Sequence, residues 1–157
     1  MTRRLLAMPE LAGLGRVVLY AALPDELPTR ALHEALRRLR KPILFPRCRP
    51  DDLLEFARVE GWEDLEPGRY GVLEPTGPAQ ALAHDDLVVV PGVAFDGAGR
   101  RLGRGGGFYD RTFPPAWIPA PRLVGVGYAF QRVPLVPAGP EDRRMDAVVT
   151  DREAWRP

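Results

Sequence analysis

Serine and asparagine are absent from the 157 residues, and cysteine, histidine and lysine are scarce. Without serine, every serine-nucleophile mechanism is excluded. Cys48 is the single cysteine, which excludes an intrachain disulfide and a thiolate metal cluster. It stands between Arg47 and Arg49, whose charges favour the thiolate, but no histidine lies near it in sequence, and its ordinary reading is a small packing residue. His33 and His84 are the only histidines, too few for a typical zinc site without carboxylates. Lys41 is the one lysine among 22 Lys and Arg residues. Few amides and many loop prolines suit a heat-adapted protein, although codon bias gives the same arginine excess. No apolar run approaches the roughly 18 residues of a membrane span, and the N-terminus has no signal-peptide core. The expectation is a soluble, cytoplasmic protein. A formal charge of only +1 weighs against nucleic acid or an anionic membrane as partner. Any catalysis must therefore run on Arg, Asp, Glu, Tyr, Thr, backbone groups and a bound ion.

What is present is a core-forming chain with one unusual stretch. Hydrophobic residues make up 45% of it, enough for one domain with a real core. Gly99-Arg-Arg-Leu-Gly-Arg-Gly-Gly-Gly-Phe-Tyr-Asp-Arg111 follows the apolar run Leu87-Val-Val-Val-Pro-Gly-Val-Ala-Phe-Asp96. Gly103, Gly105, Gly106 and Gly107 let backbone N–H groups approach a ligand together. Arg101 and Arg104 add forked, permanently charged donors suited to phosphate or carboxylate. A helix starting near Gly107 adds its positive end. The stretch matches neither the Gly-x-x-x-x-Gly-Lys-Ser/Thr loop nor a full dinucleotide fingerprint. By composition it is equally an anion cradle or a mobile surface loop.

Along the chain, residues 1–15 predict about one short helical turn before Pro9 and the glycines interrupt it. Residues 16–22 are a continuous apolar run of strand length. Thr29 caps a predicted helix through Lys41, with Ala31, Leu32, Ala35, Leu36 and Leu39 on its apolar face. Residues 42–46 form a second strand, completing a right-handed βαβ unit. Residues 51–59 fit either a helix or an edge strand, and residues 70–75 are extended. Residues 87–91 deliver the glycine-rich loop. A helix starting within 105–113 ends at Pro114-Pro115, and residues 122–128 and 145–150 are further strands. The alternation predicts an α/β fold, a single-domain three-layer sandwich around a mostly parallel, Rossmann-like sheet over residues 1–157. Ligands in such sheets sit at the carboxyl ends of strands. That places Asp25-Glu26, Pro46-Arg47 and the glycine loop at one end.

Arg101-Leu-Gly-x-Gly-x-Gly-x-Tyr-Asp110, preceded by Val90-Pro-Gly-x-x-Phe-Asp96, resembles the signature of the 5-formyltetrahydrofolate cyclo-ligases (methenyltetrahydrofolate synthetases). The likeness covers most of residues 16–150. Tyr20-Ala-Ala-Leu-Pro-Asp-Glu26, Phe45-Pro-Arg-Cys-Arg49, Tyr70-Gly-Val-Leu-Glu-Pro75 and Glu141-Asp142-x-x-Met-Asp146-Ala-Val-Val-Thr150 resemble further family segments. The resemblance implies ATP- and magnesium-dependent closure of 5-formyltetrahydrofolate to 5,10-methenyltetrahydrofolate through phosphorylation of the formyl oxygen. It implies ATP binding by Arg101, Leu102, Gly103, Arg104, Gly105, Gly106, Gly107, Phe108 and Tyr109. It implies substrate binding by Glu26, Arg104, Gly105, Gly106, Gly107 and Phe108, with Arg104 catalytic and Asp110 and Asp142 serving Mg2+. The implied partner is a small-molecule folate, with a monomer expected. Phe108 stands where a tyrosine is more usual, and Glu141 where a histidine precedes Asp142. The family's N-terminal helix, with a Lys-x-x-x-Arg pair reaching ATP, has only residues 1–15 as counterpart, with Arg3 and Arg4 as its cations. The expectations from this are weakened ATP binding and, as the alternative function, a catalytically weak folate- or nucleotide-binding relative. A sugar-phosphate isomerase-like enzyme is a further alternative, and it would want a lysine near the loop.

Overall fold

The computed structural model describes residues 1–13 and 15–157, without the side chains of Glu10 and Ala12; Leu14, in the predicted N-terminal turn, lies outside them. The helices are α1 (Thr2–Leu6), α2 (Pro9–Ala12), α3 (Arg30–Arg38) and α4 (Phe108–Thr112). The strands are β1 (Val17–Val18), β2 (Ile43–Cys48), β3 (Leu54–Arg58), β4 (Leu65–Pro67), β5 (Leu73–Pro75) and β6 (Ala79–Gln80). They continue with β7 (Leu87–Pro91), β8 (Ala94–Phe95), β9 (Arg101–Leu102), β10 (Arg122–Gly127), β11 (Ala147–Thr150) and β12 (Ala154–Trp155).

Eight strands form one sheet in the order β12-β11-β10-β7-β1-β2-β3-β6. The five from β11 to β2 run parallel, and antiparallel pairings at β2–β3, β3–β6 and β11–β12 finish the edges. The ambiguous stretch 51–59 is thus a strand, turned back on β2 with Phe45 opposite Ala57. Parallel pairing requires a crossover, and α3 supplies it between β1 and β2.

Because side chains alternate across a strand, the sheet has two buried faces. Val17, Leu19, Ile43, Phe45, Leu87 and Val89 face one layer, where Leu5, Met8 and Leu11 of the N-terminal helices and Leu32 and Leu36 of α3 cover them. Val18, Leu44, Phe56, Val88, Val90 and Leu123 face the other, under Phe95, Phe113 and Met145. That second layer is the β8–β9 hairpin, α4 and coil, so the sandwich is thin in helix on this side. Each fully buried Leu or Phe stabilises the fold by roughly 1.5–3 kcal/mol, and the coil delivers these as well as a helix would.

Three local expectations are corrected. Pro9 opens α2 at its first position instead of ending a helix, as suits a residue with no N–H to satisfy. Helix α3 stops at Arg38, leaving Leu39 exposed, while His33 joins Leu32 and Leu36 on the buried side. Thr29 precedes α3 without capping it; its hydroxyl donates to the Tyr20 carbonyl instead. At the amino ends of β1 and β7, Arg16 grips the buried Asp86 at both carboxylate oxygens, 3.0 and 2.5 Å away.

Candidate active site

Strand β1 sits between β2, reached through α3, and β7, from which the chain moves outward to β10. The crevice at the carboxyl ends of β1 and β7 is therefore the topological switch point, where open α/β sheets bind ligands. A cavity of about 780 Å³ occupies it. Tyr20, Leu23 and Glu26 reach it from β1, Pro46 to Cys48 from β2, and Pro91 and Gly92 from β7. Every residue of 101–110 lines it, as does Asp142. Glu26, the whole of Arg101 to Asp110 and Asp142 are thus gathered around one space, while Asp25 is outside its lining.

The glycine-rich stretch begins as a hairpin. Val93 N–H donates to the Leu102 carbonyl at 2.8 Å, and Asp96 ties the turn by accepting from Ala98 and Arg100 N–H at 2.9 and 3.0 Å. Asp96 also accepts from Val136 N–H at 3.1 Å. Burial opposes its charge, but those N–H groups and Arg100 outweigh it and hold the carboxyl below its usual range. Beyond β9 the backbone turns left-handed at Gly105 (φ 89°) and Gly107 (φ 63°), conformations that glycine adopts without strain. Phe108 then folds back, its ring lying where a Cβ on Gly106 would fall.

Three charged side chains fix the loop. Arg101 Nη2 donates to Asp110 Oδ2 at 2.8 Å, and its guanidinium lies 5.5 Å from the Tyr109 ring centre. Asp110 Oδ1 accepts from Arg143 N–H at 3.3 Å. Arg104 pairs through Nη2 with Asp25, and its Nε lies 3.5 Å from Glu26 Oε1. Glu26 accepts from Leu23 N–H at 2.9 Å through its other oxygen, so it is held within its own turn and aimed at the cavity. Tyr109 stacks on Phe113, which stacks on Trp117. Burial pushes the Tyr109 phenol well above its usual range, against the pull of Arg101. Tyr20 is likewise raised, by burial and then Glu26, and its hydroxyl donates to the Leu27 carbonyl at 2.7 Å.

Two features bear on a magnesium nucleotide. Asp110 and Asp142 offer hard oxygen donors to one cavity, and Arg101 Nε is buried with no hydrogen-bond partner among the described residues. Among those residues no group of three or more His, Cys, Asp or Glu side chains is placed to hold a metal.

Other residues are used differently from expectation. Arg47 lines the cavity, but its guanidinium bonds to Glu55 at 2.5 Å and to the carbonyls of Pro75 and Gly77. The Cys48 thiol is pushed up to about 11 by burial and then Glu74, against the pull of Arg69, which agrees with its ordinary reading as a packing residue. Arg4 bonds the carbonyls of Asp151 and Arg152, and neither it nor Arg3 is among the cavity-lining residues.

Sequence reading assigned no role to Tyr70, Glu74 and Asp52, which form the opposite wall. Glu74 accepts from Cys48 N–H at 3.1 Å. Tyr70 holds an unusual φ of 59° and meets the Phe108 ring edge-on, centroids 5.8 Å apart, across the mouth. The segment Tyr70-Gly-Val-Leu-Glu-Pro75 was the available signal. Among the described residues no helix is long and apolar enough to cross a membrane.

The profile of the 5-formyltetrahydrofolate cyclo-ligase family matches residues 1–151. A 5-formyltetrahydrofolate cyclo-ligase of Escherichia coli K12 is 31% identical over 97% of this chain and 86% of its own. A probable one of Schizosaccharomyces pombe is 29% identical, over 98% of this chain and 83% of its own. The solved 5,10-methenyltetrahydrofolate synthetase of Aquifex aeolicus superposes with a TM-score of 0.82 at 29% identity, covering 99% of this chain and 78% of that one.

Proposed function

The chain belongs to the 5-formyltetrahydrofolate cyclo-ligase family, and from that premise we propose that it closes 5-formyltetrahydrofolate to 5,10-methenyltetrahydrofolate with ATP as co-substrate. One observation carries the assignment of residues: the glycine loop, Arg101, Arg104, Glu26, Asp110 and Asp142 all face a single cavity. Its volume lies in the range of small-molecule sites.

In this reading Arg101 to Tyr109 cradle the ATP phosphates, with backbone N–H groups at the glycines and guanidinium donors at both arginines. Glu26, already fixed by Leu23 N–H, accepts from the pterin N–H groups. Arg104, together with Gly105 to Phe108, lies beside the formyl group and is the catalytic residue. Its charge opposes the negative charge that grows on the transferred phosphoryl group. Phosphoryl transfer to the formyl oxygen turns that oxygen into a leaving group. Nitrogen 10 then bonds to the formyl carbon and gives up its proton to solvent, and the carbon–oxygen bond breaks as phosphate departs with the oxygen. No enzyme nucleophile is needed, in keeping with a chain that has no serine and a cysteine whose thiol is pushed up to about 11. Asp110 and Asp142 would hold Mg2+, which supplies charge neutralisation at the phosphates. We propose that the protein acts as a monomer in the cytoplasm, where ATP is supplied.

The test is incubation with 5-formyltetrahydrofolate, ATP and magnesium, following the near-ultraviolet chromophore of the methenyl product. Product formation that requires ATP is the expected result. Folate binding without turnover would reduce the protein to a binding relative of the cyclo-ligases.

A further inference from the structure

Arg104 projects from a backbone that does little to aim it. A Cβ on Gly105 would meet nothing within 4 Å, and Gly105 and Gly107 are both left-handed. What directs the side chain is a contact with the loop after β1. The Nε and Nη2 donors of an arginine point off the same edge of the guanidinium plane. On Arg104 that edge is engaged by Asp25 at Nη2 and by Glu26 at Nε. Nη1 has no protein partner among the described residues, while the residue lines the cavity. The two carboxylates are not equivalent. Glu26 is tied back to Leu23 N–H, and its side chain is only 14% exposed. Asp25 is 67% exposed. Its contact with Arg104 holds the Asp25 carboxyl below its usual range and lifts the guanidinium above its own. The pair therefore stays charged at neutral pH.

We infer that Asp25 is a positioning residue for Arg104: it holds Nη2 from the loop after β1, beside Glu26 at Nε, and leaves the Nη1 donors for the substrate. The assignment rests on the folate reading for its chemistry, but not for its geometry. Placing a donor before the reaction is worth more than binding it afterwards, because the donor then needs no reorganisation as charge develops. A clamp of this kind acts on kcat and leaves KM for the folate nearly alone, since Glu26 stays in place.

Two measurements test it. In turnover assays, Asp25→Asn and Asp25→Ala are expected to lower kcat about three- to fivefold, the scale of an exposed ion pair, with KM for 5-formyltetrahydrofolate nearly unchanged. Asp25→Glu should recover most of the loss. Added salt should bring the parent towards Asp25→Asn, because an exposed pair is screened. Independently of turnover, NMR of 15N-labelled arginine side chains, with Arg104→Lys giving the assignment, should show slow solvent exchange and hindered rotation at the Arg104 Nη2–H group, the one that meets Asp25. That protection should be lost in Asp25→Ala and kept in Asp25→Glu. If Arg104 exchanges identically in parent and Asp25→Ala, the clamp does not exist, whether or not the protein turns over folate. If the protection changes but kcat does not, Asp25 holds the arginine without serving the reaction, and the inference also fails.

Discussion

Arg101 Nη2 lies 2.8 Å from Asp110 Oδ2, and the two side chains are only 6% and 24% exposed. The pair joins the two ends of the glycine loop, so the loop is closed before any ligand arrives. Asp110 also accepts from Arg143 N–H, which ties the loop to the segment carrying Asp142. One carboxylate thus shapes the cradle and faces the cavity where a cation would sit.

Asp110→Asn should therefore cost stability as well as metal response. Removing the charge leaves Arg101 largely buried without its ionic partner, which costs about 1–3 kcal/mol. Urea denaturation reads this, and a cycle with Arg101→Met isolates the pair. The double variant should be more stable than the two single losses added together. Strict additivity would show that the two groups are neighbours without coupling. Nucleotide binding by Asp110→Asn should also respond less to magnesium than in the parent, because a hard cation prefers the charged oxygen.

Arg104→Ala should weaken ATP binding by about 1.5–3 kcal/mol, the scale of a charge-assisted hydrogen bond, or roughly ten- to a hundredfold. The side chain is half exposed and its partners are on a loop, so the melting temperature should stay close to that of the parent. Calorimetric titration with magnesium ATP checks it. Equal affinity in the two proteins would mean that Arg104 does not touch the phosphates.

The parts of this molecule that were legible in the sequence are local. Residues 87–91 read as a strand because five apolar or β-branched residues run between turn signals, and β7 has those limits. The glycine loop and Glu26 could be placed at strand ends because a parallel sheet puts every βα connection on one side. What stayed hidden depends on partners far along the chain. Nothing near Arg101 in sequence says that it pairs with Asp110, or that Arg104 reaches 79 residues back to Asp25. Strand β1 is also shorter than its apolar run, because Leu19 to Ala21 are buried at the crevice without continuing the ladder for their full length. His33 had no place on the apolar face read from the sequence; the rings of Phe45 and Trp62, at 5.9 and 5.6 Å, draw it inward.

That burial makes His33 an acid-sensitive element. Neither ring nitrogen has a hydrogen-bond partner among the described residues. Burial, and then Arg37, hold its pKa below the ordinary value, against the weaker pull of Glu34, Glu63 and Asp64. The unfolded chain therefore takes up a proton at a pH where the folded one does not. Stability should be intact above the unfolded value of about 6.5 and fall as the pH drops from there towards the folded pKa, by at most about 1.4 kcal/mol per pH unit. His33→Leu should flatten this limb. Urea midpoints for both proteins between neutral and mildly acidic pH decide the matter, and parallel curves would acquit His33. Loss of the Asp96 contribution belongs to a lower window, below the ordinary carboxylate range, because that group is depressed.

Tyr70 tests whether the cavity mouth holds stored strain. Its φ of 59° is left-handed, and its exposed ring faces Phe108 and lies 5.2 Å from the Arg69 guanidinium. A non-glycine residue in this region carries about 1–2 kcal/mol of steric cost. Tyr70→Ala removes the ring and keeps the cost, whereas Tyr70→Gly removes both. In an ordinary loop the glycine variant is the less stable of the two, because glycine has more freedom to lose on folding, by roughly 0.5–1 kcal/mol. Here the order should invert, with Tyr70→Gly more stable than Tyr70→Ala by up to about 1 kcal/mol. Both variants should bind 5-formyltetrahydrofolate more weakly than the parent and to the same extent, since both lack the ring beside Phe108. Chemical denaturation gives the order and fluorescence titration gives the affinities. If alanine proves more stable than glycine, the backbone at residue 70 is not held left-handed in solution. If both variants bind as tightly as the parent, the Tyr70 ring plays no part in closing the site.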